Sequence, residues 1–136
     1  MCLVVSSDRL RPKVAKEDLV CYKILEAHDF GRLFTPCRYA SVHLGEQIDS
    51  ELDEKPLGQE VRYGLHTLCD KEEAVELLKT YRDVFKHQFV LVRCVIPKGA
   101  KYYKGKYLSS YFNVMGGELA SYCSDKIVYD NKVIDA

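Results

Sequence analysis

The segment Phe89-Val-Leu-Val-Arg-Cys-Val-Ile96 limits the possible folds more than any other part of this chain. It is almost continuously apolar. A strand with one wet face alternates apolar and polar residues, so this run reads as a central strand covered on both sides. A helix stands immediately upstream to cover one side. Asp70 suits a helix N-cap, and Glu73 follows at capping-box spacing. Ala74, Leu77, Leu78, Tyr81, Val84 and Phe85 recur at helical intervals and mark its buried face. Glu72 and Glu73 fall in the first turn and Lys86 in the last, which suits the helix dipole. The sequence therefore predicts a helix from about Lys71 to Lys86.

Further strands are expected at Cys2–Val5, Asp18–Leu25, Arg38–Leu44, Val61–Leu68, Tyr111–Met115 and Lys126–Tyr129, from their β-branched and aromatic content. Glu26–Pro36 and the acidic stretch Glu46–Glu60 read as loops. Pro97-Lys98-Gly99 reads as a turn, Lys101–Leu108 as irregular chain or a hairpin around Gly105, and Gly116-Gly117 as a break. One main helix with strands that do not alternate with helices points to an α+β fold. The expected architecture is a mixed, largely antiparallel sheet of six to seven short strands with the helix packed on it, in a single domain over residues 1–136.

Charge and cysteines narrow the function. Lys plus Arg equals Asp plus Glu, at 20 each. The net field thus gives no attraction to long nucleic acid or an acidic membrane. No apolar run approaches the ~20 residues of a membrane-spanning helix. Met1–Val5 lacks a basic flank and a full apolar region, so it does not read as a secretion signal, and the expected location is cytoplasmic. Six cysteines at positions 2, 21, 37, 69, 94 and 123 are widely spaced with no CxxC pair. They read as reduced, mostly buried thiols, and no metal or cofactor is expected.

Four constellations can carry chemistry. Tyr63-Gly64-Leu65-His66-Thr67 precedes the helix and places a titratable His66 near its entry; the alternative is an ordinary strand-to-helix turn. Lys98, Lys101, Lys104 and Lys106 interleave with Tyr102, Tyr103 and Tyr107. Cations for phosphate beside aromatic faces for bases suit a nucleotide; the alternative is a solvated hairpin with its tyrosines turned inward. Gly116-Gly117-Glu118 with Ser121 and Ser124 could contact a ligand, Glu118 serving as base or ribose-hydroxyl partner, or could simply turn into the last strand. Cys2, exposed by removal of Met1, is the nucleophile arrangement of N-terminal hydrolases, or else a buried strand residue.

The opening Met-Cys-Leu-Val-Val, Asp18–Leu25, Arg93–Gly105 and Ser121–Ile127 together resemble small uncharacterised proteins of gut bacteria and their phages. This resemblance implies no activity. A fainter one, carried by Gly64–Ala74, the strand Phe89–Ile96 and Glu118 in that order, is to the ADP-ribosyltransferase-like fold. It implies an NAD-using transferase acting through Tyr22, His66 and Glu118.

The reading adopted from the sequence is a non-catalytic binder of a small phosphorylated ligand, a nucleotide being one form, with a role in phage–host conflict if the first resemblance holds. Its site would comprise His66, Lys98, Lys101, Tyr102, Tyr103, Lys104 and Glu118. Expected partners are the ligand and, compatibly, a second copy of the chain, with no long nucleic acid and no membrane. The alternatives are the transferase and a protein-interaction module without a ligand.

Overall fold

The computed structural model describes residues 3–5, 11–35, 40–54, 60–85, 88–108 and 118–134, with backbone alone for 107, 108 and 118. Cys2, Cys37, Lys86, Tyr111–Met115 and Gly116-Gly117, which the sequence singles out, lie outside the described residues. The strands are β1 (Leu3–Val4), β2 (Lys13–Val14), β3 (Leu19–Ala27), β4 (Leu33–Phe34), β5 (Ser41–Val42), β6 (Gln47–Asp49), β7 (Glu60–Val61), β8 (Leu65–Leu68), β9 (Gln88–Ile96), β10 (Lys101–Leu108), β11 (Glu118–Ser124) and β12 (Lys126–Tyr129); the helix α1 is Lys71–Val84.

These elements make one sheet in the order β6-β12-β9-β3-β8-β11-β10-β1-β7, with β2 on β10 and β4 between β3 and β5. The α+β class holds, but the sheet has 12 strands rather than six or seven. The sequence does not announce β2, β4, β6 or β11, reads β10 as irregular chain or a hairpin, and reads β7 and β8 as one strand; β2, β4 and β7 are two residues long. A two-residue strand is too short to show a period-two pattern. Among the described residues every ladder is antiparallel rather than mixed.

β9 meets the expectation of burial on both faces. Leu91, Val92, Cys94 and Ile96 are fully buried. Phe89 and Leu91 pack under α1 with Ile24, Leu68, Leu77 and Leu78. Val92, Cys94 and Ile96 join Cys21, Leu25, Ile127 and Tyr129 on the opposite face. Burying a side chain of this size is worth roughly 1.5–3 kcal/mol, so these two layers dominate the stability. A third cluster, Leu3, Val5, Val61, Tyr103 and Cys123, lies under β10 and β1.

α1 begins as expected. The Asp70 carboxylate accepts the Glu73 N–H at 3.2 Å. The return half of the capping box does not form, because the Glu73 carboxylate accepts the Ala120 N–H of β11 at 3.3 Å. Ala74, Leu77, Leu78 and Tyr81 are buried as predicted, but Val84 is 53% exposed. The helix ends there. Phe85 turns extended and places its ring 5.7 Å from Tyr81 and 6.1 Å from Phe89.

Three loop expectations give way to strands. Lys101–Leu108 is one continuous strand, paired with β11 from Tyr102 to Leu108. Gly105 is not a turn: it pairs with Ser121, and a Cβ there would overlap the carbonyl of Val4 in β1. Glu46–Glu60 contains β6, which borrows its pairing from β12, and ends in β7. Glu26–Pro36 loses its first residues to β3 and contains β4.

The sheet is strongly curled. β3 and β9 share nine residue pairs, whereas β3 and β8 share one, Tyr22↔Leu68. Asp125 alone links β11 to β12, yet β8, β3 and β9 lie between those strands in the sheet. In a flat sheet they would be about 19 Å apart, at ~4.8 Å per step. The chain from Ser124 to Lys126 reaches about 7 Å. The two halves must therefore fold towards each other about the Tyr22↔Leu68 junction, enclosing the Cys94 layer. Asp125 fastens this crossing. Its N–H donates to Lys101 O at 3.0 Å, its carboxylate accepts the Lys101 N–H at 3.0 Å, and its carbonyl accepts the Ser50 N–H at 2.9 Å.

Cys21 and Cys94 face each other across β3 and β9 as free thiols. The Arg93 and Leu91 carbonyls accept from Asp130 and Ile134, on the side away from β3. Cys94 therefore turns its peptide groups towards β3, and Cys21↔Cys94 is a hydrogen-bonded pair. Such pairs hold their Cβ atoms at the wide end of ~4.5–5.5 Å, beyond the ~3.5–4.5 Å of a relaxed disulfide.

Two substitutions test this account. Gly105→Ala is expected to destabilise the protein by about 1–3 kcal/mol, because β1 must move away from β10, whereas Gly99→Ala meets no neighbour and costs only its left-handed backbone, about 1 kcal/mol. Asp125→Ala is expected to cost about 1.5–3 kcal/mol by stranding the Lys101 N–H. Urea denaturation of each variant reads both values.

Candidate functional site

The seven residues nominated by the sequence do not converge. Pleating divides β10 between two faces. Tyr103 turns into the cluster of Leu3, Val61 and Cys123, is 2% exposed, and donates its hydroxyl proton to Asp53 O at 2.6 Å. Burial, then the Asp53 carboxylate, raises its pKa. Tyr102 lies on the other face, edge-on to Tyr122 at 5.8 Å, and Lys104 is exposed beside Tyr122 in register. Lys98 and Lys101 are exposed, and their backbone N–H groups donate to Asp18 and Asp125. Glu118 opens β11 opposite Leu108.

His66 occupies β8 opposite Cys123, its Nδ1 4.0 Å from the Cys123 sulfur. Its Nε2 is buried with no hydrogen-bond partner among the described residues, and its carbonyl accepts from Lys23 Nζ at 2.7 Å. Burial, then the Lys23 ammonium, lowers its pKa from 6.5 to about 4. At neutral pH the imidazole is therefore uncharged and could meet an anion only as a neutral N–H donor.

A cavity of about 400 Å³ opens elsewhere, on the helix side of the sheet, lined by Tyr22, Lys71, Arg93, Asp130, Lys132, Val133 and Ile134. Of the nominated residues whose side chains are described, none lines it. Its floor follows from the register. Tyr22 and Arg93 are directly opposed on β3 and β9 and form a non-hydrogen-bonded pair, the kind that brings side chains closest. Lys71 enters from the first residue of α1.

The remaining wall is a bulge. The tail after β12 continues along β9: the Asp130 N–H donates to Arg93 O at 3.0 Å, and the Ile134 N–H to Leu91 O at 2.7 Å. The chain advances five residues from Tyr129 to Ile134 while β9 advances three, from Cys94 to Leu91. Two residues are thus surplus to the ladder, and the stretch around Lys132 swings outward as bulged strands do. Without this slip the ladder would close where the cavity opens.

The chemistry of the lining is cationic. Arg93 Nη1 lies 3.3 Å from Asp130 Oδ1, both half-exposed. Among the described residues neither Lys71 nor Lys132 is in an ion pair, and both are exposed. No group of three His, Cys, Asp or Glu among the described residues could hold a metal, and no helix is long and apolar enough to cross a membrane.

No family model, curated protein or solved structure matches this chain. The sequence carried one signal for the site: Arg93 is the single charge within the apolar run Phe89–Ile96. A charge at the centre of a covered strand has to find an opening or a partner, and Arg93 has both. Lys132 and Val133 carried no signal, because their position depends on a register slip.

The buried His66 makes a measurable prediction. Its folded pKa lies below its unfolded value, so the unfolded chain binds more protons between about pH 4 and 6.5. Stability should therefore fall as pH drops through that window, by roughly 3 kcal/mol in all. Urea midpoints at pH 7 and pH 4.5 read the loss, and His66→Gln is expected to flatten the slope even if it lowers stability at both pH values.

Proposed function

We propose that the protein binds a small phosphorylated ligand without transforming it, at the cavity floored by Tyr22 and Arg93. The observation that carries this reading is the lining: three cations against one carboxylate, in a recess of about 400 Å³. That volume falls in the range of small-molecule sites, which run from roughly 300 to 1,000 Å³. Arg93 is steadied on one side by Asp130 and retains guanidinium N–H groups for phosphate oxygens. Lys71 and Lys132 add two point charges to the same lining.

A binding role is favoured over a catalytic one by what the lining holds. Among the described residues it contains no cysteine, serine or histidine, and its one carboxylate is engaged by Arg93. The transferase reading keeps one point in its favour, that Tyr22 faces the cavity. His66, which that reading needs together with Glu118, is not in the lining. The lysine–tyrosine face of β10 remains a secondary place for the same ligand class, with Tyr102, Lys104 and Tyr122 adjacent across the β10–β11 ladder. A part in phage–host conflict rests on the resemblance alone.

Thermal denaturation tests the reading. A phosphorylated ligand at about 100 times its Kd adds about 2.7 kcal/mol of stability, a rise of several degrees in a chain this size. Lys71→Glu with Lys132→Glu should abolish the rise while leaving the unliganded melting point nearly unchanged, because both side chains are exposed. Lys104→Glu should leave the rise intact; its loss there would move the site to the β10 face. No rise with any phosphate, sugar phosphate or nucleotide at millimolar concentration would end the proposal.

A further inference from the structure

We infer that the ligand of the Tyr22–Arg93 cavity is a nucleoside monophosphate, and that Asp130 is the residue that rejects the more highly phosphorylated forms. This rests on the cavity binding a phosphorylated ligand at all, and adds the ligand's class.

The first argument is charge. The lining carries Lys71, Arg93 and Lys132 against Asp130, a formal balance of two positive charges, three less one. A phosphate monoester carries about −1.5 to −2 at pH 7 and so matches that balance. Each added phosphate exceeds it. The excess charge would fall near the Asp130 carboxylate, which the Arg93 contact at 3.3 Å and the Asp130 N–H···O=C Arg93 bond fix in place. Like charges held at contact distance discriminate by repulsion, which is how sites reject near relatives of their ligand.

The second argument is apolar surface. Tyr22, Val133 and Ile134 bring a ring and two branched side chains to the same cavity as the cations. Inorganic phosphate or a sugar phosphate would leave that surface wet. A planar base would bury it, stacking on Tyr22, and stacking of a base on an aromatic side chain is worth roughly 1–3 kcal/mol in nucleic-acid binders. The unshared oxygen of Asp130 can also accept hydrogen bonds from ribose hydroxyls. Ring, hydroxyls and a single dianionic phosphate are the parts of a nucleoside monophosphate.

Calorimetric titration of the whole chain with inorganic phosphate, ribose 5-phosphate and the mono-, di- and triphosphates of adenosine, guanosine, cytidine and uridine tests this. At least one monophosphate should bind tenfold or more tightly than ribose 5-phosphate and than its own triphosphate. Asp130→Asn, which keeps the shape and the backbone bond, should bring the monophosphate-to-triphosphate ratio close to one. Tyr22→Leu should erase the advantage over ribose 5-phosphate. Should either variant lose its folding transition, Lys132→Gln on the exposed bulge serves instead and should weaken the monophosphate several-fold. A triphosphate bound as tightly as its monophosphate, or a ratio unmoved in Asp130→Asn, would overturn the inference and leave the phosphate-binding reading standing. Equal binding of ribose 5-phosphate and every monophosphate would do the same. Binding of none of these compounds would overturn both.

Discussion

The whole architecture depends on the single-residue crossing at Asp125. A chain that leaves β11 and enters β12 within about 7 Å cannot belong to a flat sheet in which three strands separate the two. The curl is therefore imposed by connectivity and then filled by side chains. The enclosed layer around Cys94 and Tyr129 packs because the two halves already face each other. The weak seam at Tyr22↔Leu68 is the other side of the same constraint, since a sheet bent this sharply cannot keep a full ladder at the bend. The cavity lies beside that seam, where Tyr22 has one partner in β9 and one in β8.

The contrast between β9 and β10 shows what can be read in the sequence. β9 is legible because its burial is symmetrical: a run buried on both faces has to be apolar throughout. β10 interleaves Lys and Tyr, which resembles a solvated platform, yet Tyr103 serves as core. Tyr103 is buried by a strand, β1, of only two residues. No local pattern announces such a partner. The glycine in β10 misled for a related reason. Gly105 permits close approach rather than reversal of the chain, and only the position of β1 tells the two apart.

The helix was almost fully legible because its determinants are local: a cap, a period and a stop. It departs from expectation at its ends, where tertiary contacts intervene. Glu73 leaves its capping partner for the Ala120 N–H, and so ties the helix to β11 at the cost of an ideal N-terminus. The site was legible only in part. Arg93 stood out in its strand, but the residues that join it come from the far end of the chain through a two-residue slip against β9. Register depends on pairing partners, and nothing in the residues 130–134 taken alone specifies it.

The interleaving of the two halves bears on how such a chain is made. Strands β1 and β2 belong to one half, β3 to β6 to the other, β7 and β8 to the first again, β9 to the second, β10 and β11 to the first, and β12 to the second. The backbone thus passes between halves five times, and no single cut separates them. The half built on β9 is completed only by β12, the last of the described strands. Until β12 is in place, β9 keeps an unpaired, apolar edge. The interval before β12 pairs is when that edge is most open to pairing with another molecule.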